Sequence, residues 1–225
     1  IQNVSTIEGG ANSLTIAGNA DVDGAITGVT NYSVSGTANL GADVTTTGTQ
    51  TYTGAVTLSG GDRILTGSTI QNVSTIAGGA NSLTITGNAD VDGAITGVNN
   101  YSVSGTSNLG ADVTTSGTQT YTGAVTLSGG NRTLSGSTIQ NVSTIAGGGN
   151  SLTITGNADV DGAITGVNNY SVSGTTNLGA NVTTTGTQTY TGAVTLSGGN
   201  RTLSGSTIQN VSTIAGGGNS LTITG

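Results

Sequence analysis

Apolar residues recur along this chain on a six-residue grid. Between residues 91 and 127, Val91, Val103, Leu109, Tyr121 and Leu127 lie on one grid, with Gly97 and Thr115 at its two remaining positions. Four residues on from Val91, a second grid of the same spacing carries Ile95, Tyr101, Val113 and Val125. The segments read Val91-Asp-Gly-Ala-Ile-Thr, Leu109-Gly-Ala-Asp-Val-Thr and Tyr121-Thr-Gly-Ala-Val-Thr, each a short strand punctuated by small residues. Helix is disfavoured, because an interior Gly costs about 1 kcal/mol and Thr, Val and Asn are weak helix formers. A strand this short cannot bury itself alone. Coiling the chain stacks each strand on the one before, at about 4.8 Å per coil, with Val, Ile and Leu inward and small polar residues outward.

The grid sits inside a longer period. Ile-Gln-Asn-Val-Ser-Thr-Ile begins at Ile1, Ile70, Ile139 and Ile208, which divides the chain into copies 1–69, 70–138 and 139–207 and a partial copy 208–225. Near-identity at a fixed long period is the mark of a solenoid, in which each unit buries its apolar face against its neighbours. Separate globular modules are disfavoured, because a 69-residue unit without Phe, Trp, Met or Cys makes a thin core. The expected fold is therefore all-β: one continuous β-solenoid over residues 1–225, a single-chain parallel β-helix. Each 69-residue unit is expected to hold 3 to 4 coils, either three of about 23 residues or four of about 17. The Tyr pairs 32/52, 101/121 and 170/190 are each 20 apart, which favours neighbouring coils with stacked rings. The chain opens at Ile1 and stops mid-repeat at Gly225, and reads as an excerpt of something longer.

Composition narrows the function. The chain has three Arg, no Lys, no His and ten acidic residues, giving a net charge of −7, and 6% charged residues against roughly a quarter in ordinary globular proteins. An acidic balance with no basic patch argues against nucleic-acid binding. No apolar run approaches the ~20 residues that span a bilayer, so no membrane insertion is expected in this segment. The absence of Pro, the single Glu8 and the abundance of Val, Ile, Leu and Thr argue against disorder. Without Cys there are no disulfides and no thiolate metal site.

The same gaps remove most chemistry. Lacking His, Cys and Lys, the chain has no nucleophilic triad, and no enzymatic activity is expected. The close carboxylate pairs are Asp21 and Asp23, Asp90 and Asp92, and Asp159 and Asp161. Their recurrence in every copy favours a structural or metal role over one catalytic pocket. They lie in Asn-Ala-Asp-Val-Asp-Gly, which resembles the first half of a Ca²⁺ loop, although Thr30, Asn99 and Asn168 stand where a bidentate acid is wanted. Ca²⁺ is thus the one candidate cofactor, and an Asx turn with a Gly corner is the alternative. Thr-rich stretches such as Thr45–Thr47 and Thr49–Thr53 suit outward hydroxyl ladders or an ice-binding face; the latter needs the same doublet on one face of every coil. Asn81, Asn100 and Asn131 are candidates for amide ladders at corners, and Asn3, Asn31 and Asn131 open glycosylation sequons.

The strand rhythm, the Gly-Ala-Val-Thr and Leu-Ser-Gly segments and the Ser/Thr/Asn-rich repeats resemble the shafts of large bacterial surface proteins, the filamentous-haemagglutinin-type adhesins and autotransporter passengers. The resemblance spans the chain but rests on composition and architecture. It implies a secreted right-handed β-helix at the cell surface, acting as a spacer that displays binding domains, with self-association into fibres or contact with a host or environmental surface. The hexad rhythm also resembles left-handed β-helices. The expected function is an extracellular structural stalk or filament. The alternatives are a surface-binding module for glycan, ice or Ca²⁺-dependent adhesion, and a phage tail-fibre shaft.

Overall fold

The computed structural model describes all 225 residues and contains thirty strands and no helix. Every strand pairing is parallel, and the chain winds as a β-solenoid of about 12 turns. Each coil passes through three short strands, one on each of three sides. In the coil beginning at Ile95, for example, they are Ile95–Val98, Tyr101–Val103 and Ser107–Leu109. Each strand lies directly against its counterparts in the coils before and after. On the first side Ala20, Ala38, Val56, Ile76, Ile95, Val113, Leu134 and Ile154 form one continuous ladder. On the second side Ile26, Val44, Leu65, Ile85, Val103 and Tyr121 follow the same path. On the third side Tyr32, Gln50, Ile70, Ala89, Ser107 and Val125 do so.

The two sequence grids are the two inward positions of each side. Tyr101 and Val103, Leu109, Val113, Tyr121, and Val125 and Leu127 all belong to one buried core of 48 apolar residues. Alternation along each three-residue strand, buried then outward then buried, is what a pleated strand with one face on the core requires.

Successive ladder partners are 18 to 21 residues apart, or 17 at irregular points such as Val98 opposite Thr115, and about 19 on average. The 18-residue steps are three six-residue sides. Longer steps occur where a coil contains an extended corner, such as Gly60–Asp62, or the turn at Gly78–Asn81. Both need left-handed backbone: φ is 68° at Gly60 and 122° at Gly61, 59° at Gly79 and 68° at Ala80. A 69-residue copy closes on neither three coils nor four. From Ala20 the first-side ladder advances three coils, through Ala38 and Val56 to Ile76. The chain then passes Leu83 on the second side and reaches Ala89, the copy of Ala20, on the third. One copy is therefore three coils and two sides.

The rings of each Tyr pair do lie in neighbouring coils, Tyr32 opposite Gln50 and Tyr52 opposite Val34. The rings do not stack as expected: their contact is edge to face, with centroids 5.9 Å apart and planes at 73°, and the other two pairs repeat it.

Tight corners depend on glycine beneath the neighbouring coil. A Cβ on Gly93 would sit 1.7 Å from the carbonyl oxygen of Ser74 in the preceding coil, and Gly24 and Gly162 are equally confined. Gly18, by contrast, has nothing within 4 Å and no left-handed φ. Gly93→Ala is expected to lower unfolding free energy by about 3 kcal/mol or more, and Gly18→Ala to change it by less than about 0.5 kcal/mol. Chemical denaturation of the two variants checks this, and equal effects would contradict the corner packing.

Candidate functional site

The Asn-Ala-Asp-Val-Asp-Gly motif runs from the outside of a corner onto the third side in the second copy. Asn88 accepts the backbone N–H of Thr106 in the next coil at 2.9 Å. Asp90 is the outward residue between buried Ala89 and Val91. Its carboxylate accepts Gln71 Nε2 from the coil before at 3.2 Å and Asn108 Nδ2 from the coil after at 2.8 Å. Asp159 is held the same way by Gln140 at 3.4 Å and Asn177 at 2.8 Å. In the first copy Asn39 donates to Asp21 at 2.8 Å and Gln2 to Asp23 at 3.3 Å. Asp23, Asp92 and Asp161 are exposed and each precedes a confined corner glycine.

The motif thus builds a row across three coils, Gln–Asp–Asn, with amide groups on both carboxylate oxygens of Asp90 and Asp159. Asp90 and Asp92 project outward from an extended segment at i and i+2, about 6.6 Å apart along the strand. Thr30 and Asn99 lie beyond the following corner, where Thr30 donates to the Ala11 carbonyl at 2.7 Å and Asn99 accepts the Ser116 hydroxyl at 3.2 Å. No group of three or more His, Cys, Asp or Glu side chains comes together to hold a metal ion.

Asparagine and aspartate do most of their work at corners, with backbone partners. In the second copy Asn88, Asn100, Asp112 and Asn131 each accept a backbone N–H from the following coil, at Thr106, Thr118, Thr133 and Ser151, all at 2.9 Å. The same four staples recur in the first and third copies. Only an acceptor oxygen is needed, so Asp43, Asp112 and Asn181 serve interchangeably at one position, and Asp62, Asn131 and Asn200 at another. The sequon residues Asn31 and Asn131 are two of these staples, while Asn3 donates to the Gly24 and Ser5 carbonyls. Asn81 likewise bonds backbone, at the Leu58 and Gly78 carbonyls.

Arginine is also spent on backbone. Arg63 Nη1 donates to the Gly41 carbonyl at 2.7 Å and Nε to Gly61 at 3.2 Å, with Asp43 3.7 Å away. Arg132 repeats this with Gly110 and Asp112, and Arg201 donates to Ser197.

A polar cluster in the core escaped the sequence reading. Gln119 is fully buried and donates through Nε2 to the carbonyls of Val113 at 3.0 Å and Ser135 at 2.7 Å, while its Oε1 accepts the Tyr121 hydroxyl at 2.9 Å. Gln50 with Tyr52 and Gln188 with Tyr190 repeat the arrangement. The amide supplies donors to carbonyls where a long coil interrupts the first-side or equivalent ladder. The only signal was position: each glutamine occupies an inward place on the second grid. The hydroxyls of Tyr32, Tyr101 and Tyr170 are buried without a partner.

Two shallow surface hollows are present. One, of about 370 Å³, is lined by Gln2, Asn19, Asp21, Thr37, Asn39 and Thr57; the other, of about 350 Å³, lies beside Ala80, Val98 and Thr114. Neither gathers catalytic groups. These features define a parallel β-solenoid repeat protein. No family model, no curated protein and no solved structure matches the chain.

Burial gives the tyrosines a pH signature. Desolvation pushes the Tyr32 phenol up to about 12 and holds Tyr52 and Tyr121 well above the usual tyrosine range, with the neighbouring ring's charge adding to both; Tyr101, Tyr170 and Tyr190 are raised as well. Because the folded values exceed the unfolded value of about 10, this contribution to stability is fully present below pH 10 and is lost as pH rises through the folded values. Tyrosinate absorbance and loss of β-sheet circular dichroism are therefore expected to rise together, at a pH above the ordinary tyrosine value of about 10. Titration of the phenols near pH 10 with the fold intact would contradict the buried pairs.

Proposed function

We propose that the chain is a segment of an extracellular structural shaft, a repetitive stalk or filament of a bacterial surface adhesin or fibre, and not an enzyme. The observation that carries this reading is that the polar residues with the most distinctive chemistry bond neighbouring coils. Corner asparagines and aspartates, Arg63, Arg132 and the buried glutamines join coil to coil, which suits a rod. The composition points the same way, since it lacks the His, Cys and Lys on which the common nucleophilic triads depend.

The surface gives a binding module less support. The Thr doublet Thr49 and Thr51 recurs at Thr118 and Thr120 and at Thr187 and Thr189, but on three different sides. Elsewhere each three-residue strand offers one outward residue. A flat two-row hydroxyl array of the kind that matches ice is therefore interrupted on every side. The Asp rows are already bridged by amides, which favours the polar-turn reading over Ca²⁺.

Electron microscopy of chains with three and six copies tests the shaft. Rods of constant width that lengthen by about 18 Å per added copy are expected, at about 4.8 Å per coil, and compact particles would sink the proposal. In the same samples EDTA is expected to leave the melting temperature unchanged; a clear fall would transfer the Asp pairs to Ca²⁺-dependent adhesion. Sedimentation as a trimer would favour the tail-fibre reading.

A further inference from the structure

We propose that the number of 69-residue copies sets the direction in which the solenoid presents its features, as well as its length. The starting residues of the four copies show the rule. Gln2 lies against Asp21 on the first side, Ile70 between Gln50 and Ala89 on the third, and Ile139 between Gln119 and Ala158 on the second. Ile208 lies against Gln188, back on the ladder that runs from Ala20 through Ile95, Leu134, Ile154 and Val172 to Tyr190 and Asn210. Each copy therefore lands one side away from the last, and the fourth returns to the side of the first.

The rotation is built into the copy. Its coils are lengthened at fixed places, by the Gly60–Asp62 corner and the Gly78–Asn81 turn and their repeats, so the ladder steps recur in the same order: Ile26 to Val44, Ile95 to Val113 and Ile164 to Val182 are each 18 residues. A solenoid unit touches only its neighbours, so adding a copy creates no new kind of interface that might absorb the turn. One copy carries everything beyond it forward by three and two-thirds coils, about 18 Å, and round by a third of a turn. Three copies, eleven coils or about 53 Å, return each feature to the side it started on. This follows from ladder register alone and stands whether or not the chain serves as a spacer.

The consequence is a three-way display. The Gln–Asp–Asn rows at Gln2, Asp21 and Asn39, at Gln71, Asp90 and Asn108, and at Gln140, Asp159 and Asn177 face three different directions. A flat partner lying along one side meets any given segment once in eleven coils. Separate partners can instead surround the shaft, one per copy. A gain or loss of one copy moves every distal feature to another side, and a change of three copies keeps it on the same side.

The chain has no Cys, so spin labels can be placed at will. Thr57, Thr126 and Thr195 are exposed copies of one position on the first, third and second sides. Thr114 is exposed on the same side as Thr57, three coils along the ladder through Ala77 and Thr96. Dipolar distance measurement is expected to give a T57C/T126C separation about 10 Å longer than T57C/T114C, because a six-residue side is roughly 20 Å of chain while the added rise is only about 3 Å. T126C/T195C should match T57C/T126C. In a chain lacking residues 70–138, T57C/T195C should reproduce the T57C/T126C distance of the whole chain. A deletion pair that falls to the same-side distance, or a T57C/T126C pair no longer than T57C/T114C, overturns the proposal. So does loss of β-sheet circular dichroism in the shortened chain, because the copies would then not be interchangeable.

Discussion

Each coil of this chain is an open strand edge until the next coil covers it. Backbone hydrogen bonds between successive coils are the interaction on which everything else depends, and there are 146 backbone–backbone bonds in 225 residues. An uncovered edge leaves N–H and C=O groups unpaired, which is costly where water is excluded. Strands alone would leave gaps at the corners, where the chain turns and its N–H groups no longer point at the neighbouring carbonyls. The asparagine and aspartate staples fill those gaps, each reaching 18 to 21 residues along the chain to the coil that follows. Corner glycines let the coils approach closely enough for the bonds to form.

The core answers to the same constraint. Inward residues from three sides meet in a narrow interior, so Val, Ile, Leu and Ala suffice where a globular domain would use Phe or Trp. Tyrosine enters at three places per chain as edge-to-face pairs, and one member of each pair bonds a buried glutamine. That glutamine in turn donates to carbonyls from two coils. A buried amide is expensive unless fully bonded, and here its donors and acceptor all have partners. By contrast Ser107 and Thr176 place unpartnered hydroxyls where the first copy has Ala38. Nothing in the structure explains these two substitutions.

Much of this architecture was legible in the sequence. The six-residue grids named the inward positions because a pleated strand alternates with a period of two and each side spends six residues, strand plus corner. The tyrosine spacing of 20 pointed correctly to neighbouring coils, but ring geometry lies beyond what spacing can tell. Coil length was less legible, because whole coils need not divide the repeat. For the Asp motif, the sequence offered a loop-like pattern of oxygens, and only the ladder register shows Gln71 and Asn108 on either side of Asp90. The buried glutamines were invisible as a function because a lone Gln on an apolar grid resembles a surface residue out of phase.

The fractional number of coils per copy gives the molecule its character. It distributes each sequence feature over three sides while leaving every coil-to-coil contact local, so near-identical copies make a rod without a preferred face. The central claim is that strands run across the rod and hydrogen bonds run along it. Diffraction from an oriented sample tests this most directly. A reflection near 4.8 Å on the meridian, parallel to the rod axis, is the result the account predicts. The same spacing on the equator, with strands lying along the rod, would contradict it.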